Sequence, residues 1–280
     1  MTSLYEEARA ALREFAFRPK KSLGQNFLVH ERVLDAIVRL LDLTADDEVL
    51  EIGPGLGFLT RRLLERAGRV YAVEVDPTLI AWMKRAGLAD HPSLRLIHGD
   101  ILETPLETIL PQRPIKLAAN LPYSISSPAL FRLLEGYRHF STWVLMLQKE
   151  VADRIASGPG TKAYGTLSVW CQMHARIVGK MTVSPEAFFP RPKVQSTILK
   201  LDLYPEPLVG REHLATLRGL IRAAFGHRRK TLAGNLVSWL KRERPEIEAF
   251  LTACGVDPRR RGETLSIDEF IRMTRALNQR

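Results

Sequence analysis

Four consecutive residues, Asn120, Leu121, Pro122 and Tyr123, close an apolar run, and their types suit one kind of chemistry. The exocyclic amine of adenine is a poor nucleophile because its lone pair is delocalised into the ring. The Asn120 carboxamide oxygen and the Leu121 backbone carbonyl could each accept a hydrogen bond from such an amine and favour the pyramidal geometry that frees the lone pair. Pro122 fixes its own φ and stiffens the turn that presents the carbonyl. Tyr123 offers a ring on which an extruded base can stack. A donor that is a positively charged sulfonium leaves as a neutral thioether, so no strong general base is needed, and catalysis is mostly the alignment of nucleophile, methyl carbon and sulfur. Taken alone, Asn-x-Pro-Tyr is also an ordinary strand-end turn. The upstream sequence has to decide between the two.

There, VLEIGPGLGFLTRRLLERAG runs from a strand into a glycine-rich turn and on into a helix. Gly53, Gly55 and Gly57 let the backbone turn tightly and come close to a ligand, because no Cβ intervenes. About twenty residues beyond the loop, a second strand ends in VYAVEVD and places Glu74 where a carboxylate can accept both hydroxyls of a ribose. A third ends in HGDIL, where Asp100 can accept from an adenine amino group. Singly, each acid could be an ordinary loop or cap residue; in this order, after successive strands, they predict an adenosine site. The loop reads Gly-x-Gly-x-Gly, with Phe58 where a dinucleotide fingerprint has its third glycine. No Gly-x-x-x-x-Gly-Lys stretch is present to hold a triphosphate. S-adenosylmethionine, which carries no phosphate, suits this site better than NAD or ATP, although the glycine loop alone leaves an NAD-dependent oxidoreductase as an alternative.

The elements that must position these residues are legible as short apolar or β-rich runs at 48–52, 70–75, 94–98, 115–119 and 143–148, mostly separated by helical patterns. That alternation predicts an α/β fold: a parallel, doubly wound, Rossmann-like sheet with helices on both faces. After Leu203 the texture changes. Pro205 and Pro207 interrupt the chain, and LATLRGLIRAAF and TLAGNLVSWLKRE follow with helical periodicity. We therefore expect a catalytic domain over 1–204 and a small all-α domain over 205–280.

The chain has 280 residues and a net charge of +10. Fifteen Lys and Arg against nine Asp and Glu fall in 206–280, so this last quarter carries six of the ten charges. A polyanionic partner is permitted, as is a merely well-solvated helical surface. Cys171 and Cys254 belong to no Cys-x-x-Cys or Cys/His cluster, so two reduced core thiols are expected and no metal. No apolar run approaches the ~20 residues of a membrane helix, and the N-terminus lacks the apolar stretch of a secretory signal. A soluble, cytoplasmic setting is expected, and nothing suggests more than a monomer.

The segments KSLGQNFL, EIGPGLGFLT, VEVD, GDIL, NLPYSISSP and PEAFFPRPKVQS resemble the bacterial small-subunit ribosomal RNA adenine dimethyltransferases, the KsgA/RsmA family. The match runs from about Arg18 to the C-terminal helices. The erythromycin-resistance methyltransferases share the fold and chemistry but act on large-subunit RNA, and the wording here looks like the small-subunit branch. The resemblance implies that Asn26 and Leu28 close over the methionine end of the cofactor, joining Gly53, Glu74, Asp100 and Asn120. It implies a second aromatic near the target base, carried by Phe188 or Phe189. It further implies a substrate of two adjacent adenines in a hairpin loop near the 3′ end of 16S rRNA, each methylated twice, and a role late in small-subunit assembly.

In the helical tail, Arg228, Arg229 and Lys230, beside His227, form the densest basic cluster, with Arg259, Arg260 and Arg261 a second. Both are candidate phosphate contacts, which set affinity more than base choice. A non-catalytic ribosome-assembly factor is the other alternative; the complete 120–123 sequence speaks against it, because binding alone would not need it.

Overall fold

The structure, a computed structural model, describes residues 3–15, 24–122, 125–136, 139–227 and 229–279. The apolar runs become strands close to where they are expected: β2 (Glu48–Ile52), β3 (Arg69–Glu74), β4 (Leu94–His98), β5 (Ile115–Asn120) and β6 (Phe140–Gln148). β4 pairs with β3, β3 with β2, β2 with β5 and β5 with β6, all in parallel. Four of the five residues of β2 are buried, the pattern of a strand covered on both faces by helices. The covering helices include α2 (Glu31–Leu41), which buries Leu34, Ile37 and Leu41 at helical spacing, α3 (Phe58–Leu64) and α4 (Pro77–Arg85). α4 is started by Asp76, whose side chain accepts from the Thr78 N–H, and by Pro77 in the first turn. On the other side of the sequence motif, α6 (Ser126–Glu135) buries Ala129, Leu130, Leu133 and Leu134.

Two features depart from the expected all-parallel sheet. β9 (Ser196–Leu203) runs antiparallel to β6, from Thr142↔Asp202 to Gln148↔Ser196, and β7 (Ala175–Val183) lies beyond it. The strand order is β4-β3-β2-β5-β6-β9-β7. An antiparallel addition at the edge of a parallel sheet needs no βαβ crossover, so the helix–strand alternation read from sequence does not reveal it. In addition, β1 (Phe27–Leu28) and β8 (Phe188–Phe189) form a separate two-stranded antiparallel sheet, with Phe27↔Phe189 and Leu28↔Phe188 as partners. Ahead of β1, α1 (Leu4–Glu14) opens with a capping box between Ser3 and Glu6 and buries Ala8 and Ala11.

The chain divides into two compact units, Met1–Ala152 with Ile177–Leu203, and Asp153–Arg176 with Tyr204–Arg280. A single boundary after residue 204 therefore describes only the last crossing. Residues 153–176 group with the C-terminal helices, and the reason lies in α8 (Thr166–His174). It buries Leu167, Val169, Trp170, Cys171 and Met173. A helix apolar on all sides needs neighbours all round, and within its unit it packs on α9 (Leu214–Ala224) and α12 (Ile267–Asn278). α10 (Leu232–Leu240) joins α9 to α11 (Arg244–Ala253). The Asn235 carboxamide, itself buried, donates to the Ala224 and His227 carbonyls and so satisfies the end of α9. Cys171 and Cys254 are both buried, and neither is part of a disulfide.

Candidate active site

Because β2 to β5 are parallel, their carboxyl ends share one edge of the sheet. The chain builds outward from β2 through β3 to β4 in one direction and from β5 to β6 in the other, so strand order reverses between β2 and β5. Open α/β sheets bind ligands in the crevice at such a point. A cavity lies there, lined by residues 24–28, 51–56, 73–75 and 99–101 together with Asn120, Pro122 and Ile125, among others. Among the described residues, neither a Lys nor an Arg nor a His lines it.

The glycine loop has the geometry its composition predicts. Gly53 has φ +67°, and a Cβ there would meet no protein atom within 4 Å. The left-handed conformation favours glycine, and the open space leaves room for a ligand. Gly55 has φ +61°, and its Cβ would stand 3.0 Å from the Phe27 ring, so β1 approaches the loop through this gap.

Glu74 ends β3 almost fully buried. Its Oε2 accepts the Gly55 N–H (3.1 Å) and its Oε1 the Asp76 N–H (2.9 Å). Burial raises its pKa and the charge of Asp76 adds to the rise, while the bonds from Asp76 and Gly55 oppose it. Asp100, after β4, holds the Leu102 N–H on Oδ1 at 2.8 Å. At the end of β5 the Asn120 Nδ2 donates to the Asn26 carbonyl at 3.0 Å, and the Leu121 N–H donates to Met146 on β6 at 3.1 Å. The Pro122 carbonyl accepts from the Ile125 N–H (3.2 Å) and the Ser126 hydroxyl (3.0 Å), which ties the turn to the start of α6.

Asn26, Leu28, Gly53, Gly55, Glu74, Asp100, Asn120 and Pro122 thus border one cavity. Leu121 is buried beside it. Tyr123 lies outside the described residues, as does Arg228. Of the two phenylalanines, Phe188 is buried in the core, whereas Phe189 is half-buried and meets Tyr5 edge-on, 5.0 Å between ring centroids. Neither borders the cavity, and β8 joins them to the cavity-lining β1.

Two cavity residues escaped the sequence reading. Glu51, within the apolar strand β2, is buried and accepts the Thr60 hydroxyl on Oε2 at 2.7 Å. Burial pushes its pKa up to about 8, with the Thr60 bond pulling down and the charge of Glu74 adding to the rise. The signal was available, since a charged residue inside a strand buried on both faces needs a reason. Gln25 carried no such signal; its Nε2 donates to Asp76 Oδ2 at 3.0 Å.

In the second unit, Arg229 and Lys230 are exposed in the connection from α9 to α10. The second basic cluster is different in kind. Arg260 turns inward, its guanidinium shared between Glu269 and Thr264, and Arg259 pairs with Asp257 at 3.2 Å. The sequence shows three adjacent cations with Asp257 beside them, but not that the fold brings Glu269 against Arg260.

The ribosomal RNA adenine dimethylase family matches residues 16–279. The ribosomal RNA small subunit methyltransferase A of Geobacter metallireducens is 44% identical over 95% of this chain and 98% of its own. Among solved structures, a dimethyladenosine transferase from Plasmodium falciparum superposes with a TM-score of 0.77 at 26% identity, covering 89% of this chain and 96% of that one. The 23S rRNA methyltransferase ErmE gives 0.68 at 27% identity, covering 91% and 100%. The sheet order, the cavity at its switch point and these near-full-length matches agree, and the chain belongs to the ribosomal RNA adenine dimethylase family.

Proposed function

We propose that the protein is an S-adenosylmethionine-dependent rRNA (adenine-N6,N6-)-dimethyltransferase. Its substrate is a pair of adjacent adenines in the 3′-terminal hairpin loop of small-subunit (16S) rRNA, modified late in subunit assembly, with the protein acting as a cytoplasmic monomer. The observation that carries this reading is the convergence of Gly53, Glu74, Asp100 and Asn120 on one cavity at the switch point of the sheet.

The residues suit the cofactor. Glu74 and Asp100 line the cavity and, among the described residues, no Lys, Arg or His does, a balance that suits a cationic ligand better than a pyrophosphate. An NAD-dependent oxidoreductase, the alternative left by the glycine loop alone, would have to seat a pyrophosphate at the start of α3, where Phe58 stands in place of the third glycine. When bound, S-adenosylmethionine supplies a methyl carbon activated by the sulfonium charge. Glu74 is oriented by the two N–H groups it holds and keeps lone pairs for the ribose hydroxyls. Asp100, with Oδ1 on Leu102, offers Oδ2 to the adenine amino group. Asn26 and Leu28 close over the methionine end. The Asn120 oxygen and the Leu121 carbonyl accept from the target amine, Pro122 stiffens the turn, and Tyr123 and Phe189 supply the stacking aromatics. The amine proton passes to solvent or the carboxamide. Arg228, Arg229 and Lys230 hold RNA phosphates in a helical RNA-binding domain.

Incubation with undermethylated small subunits and labelled S-adenosylmethionine tests the whole reading: label is expected on the adjacent adenines. Asn120→Ala is expected to keep the fold and RNA binding while losing transfer by about 100-fold or more, the scale of one lost transition-state acceptor or donor. Full activity in that variant refutes the mechanism.

A further inference from the structure

Asn120 carries a side chain whose two ends have nearly the same shape and opposite hydrogen-bonding character. Rotated by half a turn, it would present N–H donors to an amine that is itself a donor. What sets its orientation is the partner of its NH2 group, and that partner is the backbone carbonyl of Asn26, 3.0 Å away and 94 residues upstream. The placement of the acceptor oxygen therefore depends on where residues 24–28 lie.

Downstream of Asn26 this segment is held by β-pairing to β8, by the Val29 N–H on the Ala187 carbonyl (2.8 Å) and by the Phe27 ring against Gly55. Upstream of Asn26 it is held by the Gln25 side chain on Asp76 Oδ2 (3.0 Å). Asp76 is a rigid anchor. It is 1% exposed, its Oδ1 caps α4 through the Thr78 N–H, and its own N–H is on Glu74. Three hydrogen bonds and the Gln25–Asn26 peptide link thus connect Glu74 through Asp76, Gln25 and Asn26 to Asn120.

We propose that Gln25 is a positioning residue for methyl transfer: its bond to Asp76 pins the Asn26 carbonyl, which holds the Asn120 carboxamide with its oxygen toward the substrate. The proposal rests on the reading of Asn120 as the group that engages the amine. It assigns Gln25 an effect on the rate of the bound complex, because a misdirected Asn120 leaves the cofactor cavity formed but the amine unengaged.

The test uses the full-length protein, undermethylated small subunits and saturating labelled S-adenosylmethionine in single turnover, with Gln25→Ala, Gln25→Glu and Asn120→Ala. Gln25→Ala is expected to lower the single-turnover rate about 10-fold or more, within the cost of small misplacements in aligned reactions, with a Tm close to that of the parent. A wild-type rate at saturating cofactor, whatever happens to KM, overturns the proposal. Gln25→Glu sets a second carboxylate against Asp76, so its deficit relative to the parent should widen as pH rises from about 5.5 to 8, as the shared proton is lost; a pH-independent ratio overturns the proposal even where the alanine variant fails to fold. An active Asn120→Ala removes the parent reading; an inactive one beside a fully active Gln25→Ala removes only the role of Gln25.

Discussion

Glu51→Gln is expected to change how stability depends on pH. In the folded chain the Glu51 carboxyl titrates at about 8 instead of its ordinary 4.5, because burial disfavours the charged form. An acid whose folded pKa lies above its unfolded one binds its proton more tightly when folded. The stability it contributes is complete below about 4.5, declines as pH rises, and is lost once pH passes about 8. At about 1.4 kcal/mol per pH unit, the loss across this window is on the order of 5 kcal/mol. Glutamine cannot ionise, and its oxygen can still accept the Thr60 hydroxyl that Glu51 Oε2 accepts at 2.7 Å. The variant should therefore match the parent near pH 5 and exceed it near pH 9 by roughly 10 °C in Tm, at a few degrees per kcal/mol for a domain of this size. Thermal unfolding of both proteins followed by circular dichroism from about pH 5 to 9 measures the difference, and contributions from groups that do not interact with Glu51 are common to both. Parallel Tm–pH curves for the two proteins would refute the assignment of a neutral buried carboxyl to this position.

Gly53→Ala and Gly57→Ala both force a side chain into left-handed backbone, at φ +67° and +81°, and each should cost about 1–2 kcal/mol in denaturant unfolding. Only Gly53→Ala should also abolish cofactor binding by calorimetry, because its Cβ enters the cavity whereas that of Gly57 meets Leu88; equal losses of binding would count against the placement of the cofactor over Gly53. Neutralising Arg228, Arg229 and Lys230 together should reduce the slope of log affinity against log salt for RNA by about 2, as three phosphate contacts at ~0.7 each predict. An unchanged slope removes the cluster from the RNA interface.

Much of the site was legible in the residues because its chemistry is concentrated at strand ends. A parallel strand buried on both faces is mostly apolar, so the polar residue that closes it stands out: Glu74 after VYAV and Asn120 after KLAA. Glycine at three alternating positions announced a left-handed turn, and all three have positive φ. What stayed hidden depended on partners distant in sequence. Arg260 reads as a surface cation until Glu269 is brought against it. α8 reads as part of the first domain until its apolar faces find α9 and α12.

The sequence by itself determined the kinds of groups present and the order in which the strands deliver them, because burial and backbone conformation restrict residue types locally. The tertiary structure alone decided which of those groups meet. β1 is two residues long and has no periodicity of its own; it exists because Phe27 and Leu28 pair with Phe189 and Phe188. The orientation of Asn120 and the protonation of Glu51 are likewise set by hydrogen bonds and burial contributed by remote segments, since a local sequence specifies neither a neighbour's carbonyl nor the local dielectric.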